Sequence, residues 1–178
     1  YLLTGLTELT QYTVGVYTSC TNGQTSAPTL INFITPCNSP VNITIGNGTN
    51  TTSYFPTYSC YENSYTQQII PASAIGTDPM EFSSIFFQCT SVASASRVWD
   101  IYVSPVPSTM DLSSGWILPS EEIPFHLVKS GTVSISSSGT DYWFEVPLDS
   151  ILVYNGTDNL LISILDHTGS WSCSNSYR

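Results

Sequence analysis

The chain has 178 residues, of which 41% are hydrophobic and only 9% charged, with 3 Lys+Arg against 13 Asp+Glu and a net charge of −10. This length holds one ordinary domain plus a fragment, and its apolar content is enough for a packed core. Phosphate neutralisation needs a basic patch, so nucleic acid and an anionic membrane surface are both excluded as expected partners.

Tyr12, Val14 and Val16 alternate with Thr13, Gly15 and Tyr17, the period of a strand. A turn follows at Thr21 to Gln24, and Leu30 to Thr35 reads as the returning strand. Two strands alone are not stable, so this pair is expected to pack on something else. Asn38-Ser39-Pro40 reads as a linker. Val41 to Ile45 alternates cleanly and predicts a strand, followed by a polar loop from Gly46 to Ser53 and an aromatic stretch, Tyr54 to Tyr61, broken by Pro56. Gln67 to Ile70 predicts a short strand. Pro71 to Gly76 predicts one helical turn, with Pro at its start and Gly at its end.

Glu81 to Cys89 and Arg97 to Ser104 are the two clearest strands. Ile85, Phe86 and Phe87 are consecutive, which predicts cover on both faces. In the next strand Trp99, Ile101 and Val103 share one face, and Val98, Asp100 and Tyr102 the other. Gly131 to Ser136, Tyr142 to Val146 and Asn159 to Leu165 predict three more strands, and Trp171 opens a last one. Many short strands with Gly, Pro and Ser punctuation predict an all-β antiparallel sandwich. No apolar run approaches the roughly 20 residues of a membrane helix, so membrane insertion is not expected.

Two resemblances refine this. Leu3, Gly5, Leu6, Thr10, Tyr12, Val14 and Val16, followed by Phe33 and Thr35, resemble the end of a fibronectin type III domain. Tyr12 matches that family's corner tyrosine, which hydrogen-bonds back to the chain. Further on stand Ile43-Thr44-Ile45-Gly46-Asn47-Gly48, Gln67-Gln68-Ile69-Ile70-Pro71-Ala72, Ile85-Phe86-Phe87, Asp100-Ile101-Tyr102-Val103, Trp116-Ile117 and Tyr154-Asn155-Gly156-Thr157-Asp158-Asn159-Leu160-Leu161-Ile162. In that order they resemble a jelly-roll module of secreted, multi-domain surface proteins of Bacteroidota-type bacteria, where it follows a fibronectin type III repeat. The resemblance implies the C-terminal part of a fibronectin type III-like (immunoglobulin-like) sandwich over residues 1–37. A jelly-roll-like β-sandwich then fills 38–178, truncated at its end. It also implies an extracellular, secreted or cell-surface location and no catalysis.

The cysteines are Cys20, Cys37, Cys60, Cys89 and Cys173, with no C-x-x-C pair to suggest zinc. Cys20 with Cys37, at the ends of neighbouring strands, and Cys60 with Cys89 are plausible bridges, leaving Cys173 over. Bridges imply an oxidising compartment. The alternative, five buried thiols, stays open.

Motifs for chemistry are sparse. Asp166-His167-Thr168-Gly169-Ser170 departs from the aspartic-protease pattern, because His167 separates Asp from Thr and no second copy exists; it reads as a strand-ending turn. Neither His126 nor His167 lies near a nucleophile elbow, and Glu121-Glu122 reads as a solvated loop. No catalytic residue and no cofactor are expected. The one metal candidate is a structural calcium held by oxygen ligands from Asp158, Asn159 and Asp166. The sequons at Asn42, Asn47, Asn50 and Asn155 read as by-products of an Asn/Thr-rich composition.

Aromatic rings beside amides and hydroxyls suit sugar binding. Tyr54, Tyr58, Tyr61, Trp116, Tyr154 and Trp171 lie in or beside loops, and of these Trp116, Tyr154, Trp171 and Tyr58 are the expected ligand-binding residues; Trp99 and Trp143 read as core. The expected role is adhesion or ligand binding, with glycans or extracellular proteins as ligands. The alternative is a spacer in a stalk or filament, whose partners are other domains of the parent chain or neighbouring copies.

Overall fold

The computed structural model describes residues 3–8, 10–35, 41–46, 49–90, 94–135, 141–173 and 176–178. Strands make up 48% of the described residues and helix 3%, so the fold is all-β. β1 (Gln11–Val16) and β2 (Thr29–Ile34) form an antiparallel hairpin. β3 (Ser64–Ile70), β4 (Met80–Cys89), β5 (Ala95–Val106), β6 (His126–Ile135), β7 (Tyr142–Tyr154) and β8 (Asn159–Asp166) build a sandwich. Its larger sheet has the order β3-β8-β5-β6 and its smaller one β4-β7, all pairs antiparallel.

Directly opposed residues of an antiparallel pair share a face. Tyr12, Val14, Val16, Ile31 and Phe33 therefore form one apolar hairpin face. Tyr12 and Phe33 stack at 5.9 Å, while Val16 and Ile31 are exposed. The Tyr12 hydroxyl accepts a hydrogen bond from the Thr7 N–H at 2.9 Å, tying the strand to the chain before it.

In the sandwich, alternation does what the sequence predicts for β5. Trp99, Ile101 and Val103 are fully buried and meet Phe87, Phe144 and Val146 of the smaller sheet. Phe87 contacts Phe55, Trp99 and Phe144 with ring centroids 5.8 to 6.1 Å apart. Each such pair adds about 0.5–1.5 kcal/mol beyond area burial. The opposite face of β5 is covered by the β5–β6 connection. There Phe125 lies against Tyr102, Trp116 against Tyr65, and Ser104 Oγ donates to the Pro124 carbonyl. The Gln67 side chain holds this connection with two bonds to one residue: its oxygen accepts from Ile117 N–H and its nitrogen donates to Ile117 O.

The turn Ala72–Ile75 (α1) forms between Pro71 and Gly76 as predicted. Two strands are longer than predicted because the ladder shifts. In β6 the shift opposite Ile101/Tyr102 turns both Val128 and Val133 inward, although they are five residues apart. In β7 Pro147 marks a shift opposite Phe82/Ser84, and the strand resumes to Tyr154. Four predictions need correction. Val41–Ile45 is not a strand, and neither is Trp171; the last pairing is instead single bridges from Tyr177 to Cys89 and to Thr52. Phe86 is partly exposed, so β4 is covered on one face only. Trp143, read as core, is also partly exposed.

The disulfide joins Cys60 to Cys173 across 113 residues, not Cys60 to Cys89; Cys89 is buried in the core. Cys20 carries an exposed thiol, and Cys37 lies outside the described residues. Cross-linking so long a loop restricts the unfolded chain strongly, so reduction should lower stability by about 2–5 kcal/mol. Non-reducing peptide mapping should recover the Cys60–Cys173 peptide, and denaturant unfolding with and without reductant should give the difference.

Candidate functional site

Two loops lie side by side at the entry to β3 and the exit of β8. Ser172 N–H donates to Ser59 O at 2.8 Å, Ser59 Oγ donates to Ser172 O at 2.7 Å, and Gly169 N–H donates to Glu62 O at 2.9 Å. The Cys60–Cys173 bridge locks the pair covalently. Beneath them Arg97 Nε donates to Asp166 Oδ2 at 2.8 Å, and the two side chains are 2% and 0% exposed. The remaining guanidinium nitrogens donate to Ser170 O at 2.6 Å and Tyr61 O at 3.2 Å, one bond to each loop. Asp166 also accepts from Trp99 Nε1, and from Thr168 N–H and Oγ1, closing the predicted strand-ending turn.

On this base stands a row of rings. Tyr54 and Tyr58 have centroids 4.8 Å apart, and Tyr58 and Tyr61 5.1 Å. Tyr61 and Trp171 line a shallow depression with Cys60, Glu62 and Asn63. Tyr54, Tyr61 and Trp171 are 66%, 64% and 68% exposed. Exposed rings fixed on a covalently braced base, beside an amide and a carboxylate, form a platform rather than a pocket. Such a surface suits an extended ligand with apolar faces and hydroxyl edges.

The expected binding residues thus divide. Tyr58 and Trp171 belong to the platform. Trp116 is exposed but stacks with Tyr65 over β3, a separate ring pair. Tyr154 is corrected: it is 1% exposed, its hydroxyl donates to Gly76 O, and it belongs to the core. Tyr61 and Tyr54 complete the site. Cys60 adjoins Tyr61 and Cys173 lies two residues from Trp171, so the bridge brings these two rings together, while no local pattern in the sequence marks Tyr54.

The calcium ligand set does not converge. Asp158 and Asp166 stand at opposite ends of β8, some 20 Å or more apart at the usual rise per residue. Each has another task. Asp158 accepts from Asn155 Nδ2 in the turn, and Asn159 Oδ1 caps the helical turn by accepting Ala72 N–H. No group of three metal-binding side chains occurs among the described residues. His167 Nε2 lies 3.4 Å from Asp100 Oδ2, and Glu121 and Glu122 are exposed.

Removing one partner of a buried ion pair leaves the other charge uncompensated. Asp166→Ala should therefore cost about 3–5 kcal/mol. Asp158→Ala, at the surface, should cost about 1 kcal/mol or less; thermal unfolding of both variants checks the contrast. Burial, then the nearby Asp158 charge, pushes the Tyr154 phenol above its ordinary value near 10. A raised pKa gives stability that is complete below the unfolded value and is lost as pH rises past it. Stability should thus fall above about pH 10, and Tyr154→Phe should remove that part of the fall in alkaline denaturation curves.

No protein-family model, no curated protein and no solved structure matches the chain.

Proposed function

We propose that this chain is a non-catalytic binding segment of a larger extracellular protein, and that the Tyr54–Tyr58–Tyr61–Trp171 platform holds neutral glycan chains. The observation that carries this reading is four aromatic rings on one braced surface, three of them mostly exposed. Pyranose rings offer apolar faces to such a surface, and Asn63 and Glu62 supply hydrogen-bonding edges. All three cationic side chains are engaged in ion pairs: Arg97 with Asp166, Lys129 with Asp149, and Arg178 with Asp141. With a net charge of −10, the chain has no cation to spare for sulfate or carboxylate groups, which favours uncharged sugars.

Within that reading, residues 1–37 are the closing strands of a fibronectin type III-like domain and 38–178 a jelly-roll-like module. The back-bond from Thr7 to the Tyr12 hydroxyl supports the first assignment. The Cys60–Cys173 bridge supports an oxidising, extracellular setting. Among the described residues no helix is long and apolar enough to cross a membrane. One feature favours a spacer role instead. The exposed Val16 and Ile31 on the hairpin's apolar face suit contact with a neighbouring domain.

Titration with neutral and sulfated oligosaccharides, followed by tryptophan fluorescence and calorimetry, tests the proposal. Neutral chains should bind and sulfated ones should not. Trp171→Ala and Tyr61→Ala should each weaken binding about tenfold, at roughly 1–3 kcal/mol per stacked ring, with melting temperature unchanged. Trp116→Ala should leave affinity as it is. Absence of binding to every oligosaccharide would leave the spacer role as the account of this chain.

A further inference from the structure

The depression beside Tyr61 and Trp171 holds one charged side chain, Glu62, next to Asn63, and both are exposed. Glu62 is fixed through its main chain, because its carbonyl accepts from Gly169 N–H at 2.9 Å across the two braced loops. Its carboxylate has no counter-charge. The sequence contains 3 Lys+Arg, and each is committed elsewhere: Arg97 to Asp166, Lys129 to Asp149 and Arg178 to Asp141. Arg97 reaches up to the Tyr61 carbonyl at 3.2 Å, but its charge is met by Asp166 at 2.8 Å, so the buried pair is locally neutral. His167, at the start of the second loop, lies 3.4 Å from Asp100 instead. Other surface carboxylates are engaged. Asp111 and Asp158 accept hydrogen bonds in their own turns, and Glu145 accepts from Ser84 Oγ. Among the described residues, no side-chain bond or cation engages Glu62.

The lack of a free cation disfavours anionic sugars and leaves two classes, neutral and cationic. Resting on the glycan reading above, we infer that the platform prefers chains with protonated amino groups, that is, hexosamine residues with a free amine, over their N-acetylated counterparts. An aromatic face attracts a cation through its quadrupole, and a carboxylate attracts it through charge. Tyr61, Trp171 and Glu62 bring both attractions to one depression. That depression is shallow and its rings are 64% and 68% exposed, so an ammonium there stays partly hydrated. Cation–π contacts and ion pairs at exposed sites are each weak. The cation must therefore arrive on a ligand that already covers the rings. A pyranose with an amino substituent does this, and a lysine side chain does not. The Asn63 amide beside Glu62 offers a donor and an acceptor to the neighbouring hydroxyls.

The test compares glucosamine oligomers with N-acetylglucosamine oligomers of equal length, by calorimetry on the wild-type chain and on Glu62→Gln. The wild type should bind the amine form about five- to tenfold more tightly. Added salt should shrink that advantage and leave the acetylated form's affinity as it is. Glu62→Gln keeps the backbone bond to Gly169. It should bring the amine form down to the affinity of the acetylated form, with the latter and the melting temperature unchanged. Equal binding of both oligomers by the wild type would overturn the inference while the glycan reading stands. An amine preference that survives in Glu62→Gln would overturn it too, and would trace the preference to overall charge. Trilysine bound as tightly as the amine oligomer would overturn it by assigning the site to cationic peptides. Binding of neither oligomer would remove the glycan reading along with it.

Discussion

The ion pair of Arg97 and Asp166 holds the sandwich to the two loops under the row of aromatic rings. Both charges are removed from water, which is costly, and the arrangement repays this only because every polar direction is met. The guanidinium reaches the carboxylate and two loop carbonyls; the carboxylate takes the indole and the Thr168 turn as well. One arginine thereby ties a central strand, β5, to its neighbour β8 and to both loops under the aromatic platform. A purely apolar contact at this place would serve packing equally well but would not set the loops' positions. The ion pair supplies geometry more than net stability.

The platform depends on that geometry twice over. The disulfide fixes the two loops to each other, and Arg97 fixes them to the core. Rings presented from ordinary loops would lose side-chain and backbone freedom on meeting a ligand. Here much of that ordering is already in place, so in the proposed glycan binding stacking energy would go further toward affinity.

Much of the fold is legible in the sequence where alternation is uninterrupted. Trp99, Ile101 and Val103 announce β5, and Pro71 and Gly76 announce the helical turn. Legibility fails where a register shift resets the phase, as at Val128 and Pro147, since no local pattern signals the extra residues. Val41–Ile45 shows the converse: a strand pattern is a statement about a partner ladder as much as about the segment itself. For the site, Tyr154 and Tyr61 are the same residue type in loop-like surroundings, and only the tertiary fold decides that one is core and the other surface. Likewise the spacing of five cysteines does not distinguish Cys89 from Cys173 as the partner of Cys60. Asp166 looks like a metal ligand because its true counter-charge stands 69 positions away.

Gln67 carries a different kind of consequence. Its amide presents the same donor and acceptor pair as a peptide group, and Ile117 bonds to it as it would to a neighbouring backbone. A single side chain thus stands in for an adjoining strand. At position 117 the long connection from β5 to β6 can therefore change in sequence while keeping this anchor, which reads only the main chain there, whereas the Phe125 and Trp116 ring contacts depend on their side chains. Evolutionary drift and deliberate loop grafting both have room there, and the fold would tolerate new side chains on a surface already held in place.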